Sequence, residues 1–142
     1  MKESSNSKSS ASFGYKKVTE TEKVSLVDSV FTSVAERYDL MNDLMSFGAH
    51  RFWKKYFLLC SNIKKGQIVL DLASGTGDIT KLTSKAVGEN GLVVSCDINF
   101  AMLSQGRDNM IDEGIIDNIL YVQSDAQELA FAENSFDHVT MA

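Results

Sequence analysis

Ile68-Val69-Leu70-Asp71-Leu72-Ala73-Ser74-Gly75-Thr76-Gly77-Asp78 decides how this chain is read. Four of its first five residues are apolar, which suits a strand covered on both faces. Gly75 and Gly77 permit backbone angles and close approaches that a Cβ blocks. A helix after such a turn points its free N–H groups at whatever lies over it. Strand, glycine turn and helix together make a seat for a nucleotide-like ligand.

Downstream, strand and helix patterns alternate. Strands are expected over residues 67–72, 92–97, 119–123 and 136–141, with a turn or short helix at 126–129. Helices are expected over 78–87, stopped by Gly88, and over 100–113, capped by Asn99 and stopped by Gly114. The fold class is therefore α/β, a parallel sheet of βαβ units with its ligand side at the strand C-terminal ends. Four strands are half of an ordinary doubly wound sheet. An apolar strand ending at Ala142 leaves an open edge, so the expectation is a truncated sequence or an edge covered by something else.

Upstream, Val27, Val30, Phe31, Val34, Tyr38, Met41 and Met45 recur at helical spacing over residues 22–45. The plainer reading of this stripe is core packing; the functional one is a wall of a lipophilic pocket. Gly48 breaks the pattern, and a second helix follows over 50–59. Its Phe52, Trp53, Tyr56 and Phe57 are dense enough to suggest core. Residues 1–20 are expected to be a disordered tip: the first twelve hold six serines and no apolar run. They suit neither a secretory signal nor an arginine-bearing transit peptide. No stretch approaches the ~20 apolar residues of a membrane span. A cytoplasmic protein is the expectation.

At 142 residues, 44% hydrophobic and 23% charged, the chain can build one core. A net charge of −5 without a basic stripe argues against a nucleic-acid partner. Cys60 and Cys96 lack metal or redox spacing and are expected to be reduced, buried thiols. No metal cluster is visible.

Three acids fall at or just past three successive strand ends: Asp71, Asp97 and Asp125. Asp97 follows Gly77 by twenty residues, the spacing at which an acid reaches ribose hydroxyls. Asp125 is placed to meet an adenine amine. Asp71 lies beneath the turn, where it could accept from the turn backbone or a ligand ammonium. For each alone, a helix cap or solvated turn is the plainer reading. Gly75-Thr76-Gly77-Asp78-Ile79-Thr80 lacks the third glycine of the dinucleotide fingerprint, and Asp78 would repel a pyrophosphate. A nicotinamide oxidoreductase is disfavoured. A cationic adenosine ligand, S-adenosylmethionine, suits the acids better.

Asp71-Leu72-Ala73-Ser74-Gly75-Thr76-Gly77 with Asp97 resembles the signature of class I S-adenosylmethionine-dependent methyltransferases. A second block narrows the resemblance: Phe31-Thr32-Ser33-Val34-Ala35-Glu36-Arg37-Tyr38-Asp39-Leu40-Met41-Asn42-Asp43-Leu44-Met45-Ser46-Phe47-Gly48-Ala49-His50-Arg51-Phe52-Trp53. It is similar to the N-terminal signature of the ubiquinone/menaquinone biosynthesis C-methyltransferases. Tyr121-Val122-Gln123-Ser124-Asp125-Ala126 and Asn134-Ser135-Phe136-Asp137 match later blocks of that family. The resemblance implies a Rossmann-like sheet lacking its C-terminal half, preceded by N-terminal helices, within residues 21–142. It implies transfer of a methyl group from S-adenosyl-L-methionine to a ring carbon of a polyprenylated quinol. It places cofactor contacts at Thr76, Asp97, Asp125 and Ala126, beside Asp71, Gly75 and Gly77 of the turn. Departures are Ser74 where many members have glycine, Ala142 where a serine is usual, and Leu129-Ala130-Phe131 without the usual proline.

A ring carbon attacks only once a neighbouring hydroxyl is ionised, so the reaction needs a base. His50, Asp39 and Tyr38 are the candidates; a structural hydrogen bond is the plainer reading of His50. The expected partner is a lipophilic quinol, with peripheral membrane contact and homo-oligomerisation left open. An inactive cofactor-binding fragment, or a methyltransferase for another small acceptor, are the alternatives.

Overall fold

The computed structural model describes residues 10–13, 16–34, 44–45 and 49–142. Its main body is a four-stranded parallel sheet. An antiparallel pair precedes it, β1 (Ser10–Phe13) and β2 (Lys16–Thr19). Two helices follow, α1 (Glu20–Val34) and α2 (Ala49–Ser61). The sheet unit then runs β3 (Ile68–Leu72), α3 (Asp78–Val87), β4 (Leu92–Asp97), α4 (Phe100–Asp112), β5 (Ile119–Gln123) and β6 (His138–Thr140). The spatial order is β5-β4-β3-β6.

The α/β class and its parallel sheet stand as expected. The chain moves outward from β3 through β4 to β5, then returns to the other side of β3. That reversal makes the tips of β3 and β6 a topological switch point. It also explains the two halves of the core. Right-handed crossovers in one direction put α3 and α4 on one face, and the reversal sends the next connection to the other. On the first face Val69, Val87 and Val93 are fully buried, with Ile63 against them. On the second, Leu70, Val94 and Cys96 pack with Leu72, Val122, Leu129, Phe131 and Phe136. Residues 69–71 of β3 are all buried, as a strand covered on both faces requires.

Several expectations change. The tip was expected to be disordered over 1–20, yet residues 10–13 pair with 16–19 in register, Ser10 opposite Thr19. A ladder uses backbone groups alone, so a serine-rich composition does not preclude it. Helix α1 starts two residues earlier than its apolar stripe suggests. The Thr19 amide donates to Glu22 Oε2 at 2.9 Å and the Glu22 amide to Thr19 Oγ1 at 3.3 Å, a reciprocal capping box. Residues 35–43, in the second half of the expected long helix, lie outside the described residues. The last strand begins at His138 rather than 136: the Asp137 amide still donates to the Ile68 carbonyl at 2.8 Å, but the Ile68 amide donates in return to the Asp137 carboxylate at 2.7 Å.

Two burial expectations also fail. Cys96 is buried, but Cys60 is exposed. Of the α2 aromatics, Phe52, Trp53 and Tyr56 are 82%, 70% and 60% exposed, and only Phe57 is half-buried. Apolar residues encircle much of α2, and the helix turns one stripe toward α3, so the rest find no cover among the described residues. Val30 of α1 is likewise 48% exposed.

Candidate cofactor site

The glycine turn leans on the end of β4. The Ser74 amide donates to the Cys96 carbonyl at 3.1 Å and the Gly75 amide to Asp97 Oδ2 at 2.8 Å. The Gly77 amide turns back to the Ser74 carbonyl at 3.0 Å. Gly77 sits at φ +88° as the N-cap of α3, a conformation that disfavours any side chain. Behind the turn, a Cβ on Gly106 of α4 would stand 3.1 Å from the Thr76 carbonyl carbon and oxygen. Gly106 therefore lets α4 press directly on the backbone of Thr76, itself buried. Sequence periodicity hides this role, since Gly106 falls inside an ordinary helical pattern.

Asp97 is the hub. Its Oδ1 accepts the Asn99 amide at 2.9 Å, and its carbonyl accepts the Ser124 amide at 3.1 Å. It thus ties together the turn, the start of α4 and the β5 exit. Asn99 caps α4 as expected, accepting from the Met102 amide at 2.9 Å. Each Asp97 oxygen has accepted one backbone N–H, and a carboxylate oxygen has a second lone pair. Two acceptors side by side match the two hydroxyls of a ribose. Asp125, on the neighbouring exit, accepts the Gln127 amide at 2.8 Å and stays exposed, as does Ala126.

Asp71 does not belong to the ligand surface. It is 1% exposed, with Oδ2 accepting the Thr80 hydroxyl at 2.6 Å and Oδ1 the Thr140 hydroxyl at 2.9 Å. It braces β3 to α3 and β6 instead of meeting a ligand ammonium. Burial pushes its carboxyl above the ordinary range, although the Thr80 and Thr140 bonds pull the other way. Ser74, the departure from glycine, is also accommodated: Ser95 Oγ donates to Ser74 Oγ at 2.8 Å beneath the turn.

Asp78 is not the free anion that the sequence suggests. Lys54 of α2 forms an ion pair with it. The repulsion argument against phosphate is correspondingly weaker. A firmer one replaces it, because the Gly75 and Gly77 amides that would cradle a pyrophosphate are already spent on Asp97 and Ser74. Nothing local marks Lys54; its partner lies 24 residues away, across the join of two helices.

Beside this pair lies a cavity of about 390 Å³, lined by Trp53, Lys54, Tyr56, Phe57, Cys60, Ile79 and Ala142. It opens at the β6 end of the switch point. His50 lies in α2, one turn before Trp53 and Lys54; Tyr38 and Asp39 lie outside the described residues. Among the described residues no acid, histidine and cysteine cluster could hold a metal, and no helix is long and apolar enough to cross a membrane.

Comparison with known proteins accords with this geometry. The chain is 56% identical over 133 residues to the ubiquinone/menaquinone biosynthesis C-methyltransferase UbiE of Idiomarina loihiensis, covering 94% of this chain and 53% of that one. It is 51% identical over 142 residues to the UbiE of Xylella fastidiosa, covering 100% of this chain and 56% of that one. The chain thus spans about half the length of the curated relatives it matches. A SAM-dependent methyltransferase from Aquifex aeolicus superposes with a TM-score of 0.57 at 26% identity, over 62% of this chain and 46% of that one. A putative S-adenosyl-L-methionine-dependent methyltransferase from Methanococcus maripaludis shares the fold, with a TM-score of 0.64 at 17% identity over 78% of this chain and 49% of that one. Over residues 16–142 the chain matches the model of the ubiE/COQ5 methyltransferase family, and it belongs to that family.

Proposed function

We propose that this chain supplies the cofactor-binding half of an S-adenosylmethionine-dependent C-methyltransferase that acts on a polyprenylated quinol in ubiquinone or menaquinone biosynthesis. The observation that carries the reading is Asp97, held at the β4 tip beside the switch point by the Gly75 and Asn99 amides with acceptor capacity to spare. The residues fit the cofactor: a diol acceptor in Asp97, an exposed acid in Asp125 at the next exit, and turn amides unsuited to a pyrophosphate. When bound, S-adenosylmethionine supplies an electrophilic methyl group.

The chain's own part is to hold and shield. Asp97, Asp125, Ala126 and the turn residues Gly75, Thr76 and Gly77 seat the nucleoside. The cavity walled by Trp53, Tyr56 and Phe57 suits a lipophilic ring next to the switch point. Fixing ring and cofactor together converts a bimolecular encounter into a positioned one. A base near the cavity takes the phenolic proton, raising electron density at the ring carbon. His50, within α2, is the proposed base, with Asp39 and Tyr38 as alternatives. The quinol gives this protein a reason to work at a membrane surface in the cytoplasm, and self-association is a further arrangement to test.

The reading is tested by quinone extraction from a strain lacking the gene, with and without the full-length gene restored. Accumulated demethylmenaquinone or demethylated ubiquinone precursor that disappears on restoration is the expected result. An unchanged quinone profile overturns the substrate assignment.

A further inference from the structure

The Lys54–Asp78 ion pair sits where a second recognition element is needed. Asp97 and Asp125 mark the β4 and β5 exits as the nucleoside side of the switch point. A ligand laid across the β3 tip from there sends its other end toward β6 and Ala142. That is where Lys54 lines the cavity, with Asp78 opening α3 immediately after Gly77. In S-adenosylmethionine the other end is an amino-acid zwitterion, one carboxylate and one ammonium on a single carbon. A fixed ammonium and a fixed carboxylate, side by side, are its electrostatic complement.

The two side chains are placed for such work. They come from different elements, α2 and α3, and their side chains are 25% and 40% exposed, so each is held yet reachable. An ammonium has three donors and Asp78 takes one of them. The α3 N-terminus beside them has no side-chain cap from Gly77, so its dipole adds positive potential at the point where Lys54 arrives. A plain tie between helices is the ordinary role of such a pair, but it predicts nothing about which ligands are preferred.

We propose that Lys54 and Asp78 are the specificity-determining receptor for the amino-acid end of the cofactor, Lys54 toward its α-carboxylate and Asp78 toward its α-ammonium. This rests on the cofactor reading above, extends it to Lys54, which the sequence did not single out, and gives Asp78 a direct role.

The test compares three ligands by titration calorimetry on the chain: S-adenosylmethionine, its decarboxylated analogue, and methylthioadenosine, which lacks the amino-acid end altogether. The wild type is expected to bind S-adenosylmethionine about tenfold tighter than the decarboxylated analogue, the scale of a charge-assisted hydrogen bond. Lys54→Met is expected to abolish that preference while leaving methylthioadenosine affinity unchanged. Lys54→Arg keeps the charge and the pairing, and retains the preference. If Lys54→Met weakens all three ligands alike, or keeps the preference, the pair is only a tie between helices and the proposal is overturned. A wild type that binds S-adenosylmethionine and its decarboxylated analogue equally overturns it without any variant, and leaves the cofactor reading intact. A wild type that binds none of the three overturns both.

Discussion

The Asp97 carboxylate accepts the Gly75 amide through one oxygen at 2.8 Å and the Asn99 amide through the other at 2.9 Å. One side chain therefore sets the spacing between the glycine turn and the first turn of α4. Asp97→Ala removes the proposed ribose acceptor and this brace together. S-adenosylmethionine affinity is expected to fall at least about tenfold, since hydrogen bonds to a charged group are worth about 1.5–3 kcal/mol. Titration calorimetry reads it directly, and an unchanged affinity contradicts the assignment. Asp97→Asn should lose less, because its amide retains one acceptor oxygen.

Asp71 gives a pH signature. Burial raises its carboxyl above the ordinary 3.8, against the pull of the Thr80 and Thr140 bonds. The folded chain thus keeps a proton that the unfolded chain has already released. The stability from this group is full below the unfolded value and is lost as pH rises through the folded one. Asp71→Asn stays neutral throughout. The variant's stability relative to wild type should therefore climb as pH is raised from about 4 toward neutrality. Urea unfolding at a series of pH values measures the difference, and a flat one shows that Asp71 is ionised in the fold at no cost.

Gly106→Val places branched carbon where even a Cβ would be 3.1 Å from the Thr76 carbonyl. Overpacking of this kind costs about 1–3 kcal/mol. The strain falls on the turn, so nucleoside affinity should drop along with the melting temperature. A variant that melts lower but binds as the wild type would place the strain elsewhere in α4.

The acceptor side is open to a spectroscopic test. Trp53 is the one tryptophan of the chain, 70% exposed and on the cavity wall. A short-chain quinol entering the cavity should quench or blue-shift its fluorescence, and Trp53→Phe should remove the signal. Turnover of the full-length enzyme across pH then tests His50: His50→Ala is expected to flatten the limb of the profile that reports the base. Wild-type turnover at every pH would leave the role to another group.

Most of the sheet was legible because it rests on local order. Continuous apolar runs marked the strands, glycines and Asn99 marked the helix ends, and the twenty-residue step from Gly77 placed Asp97 at a strand tip. Asp97 kept its expected place for that reason. Asp71 did not, although it lies in the same motif. Whether a strand-end carboxylate faces a crevice or a buried pair of threonines depends on Thr140, 69 residues further on.

The aromatic stretch of α2 failed as a core signal for a related reason. Composition measures how much apolar surface a helix has, and burial depends on what arrives to cover it. Among the described residues, α3 meets only one stripe of that helix, and Phe52, Trp53 and Tyr56 lie outside it.

The sequence by itself determined the order of strands and helices from β3 to β6, the glycine turn and the acid that serves it, since each is written in neighbouring residues and short, regular spacings. Only the tertiary structure decided the rest. It put Lys54 against Asp78, pressed Gly106 onto Thr76, and drew Asp71 inward to Thr140. These pairings join residues distant in sequence, brought together by the right-handed crossovers and the reversal at β3, and no local pattern encodes them.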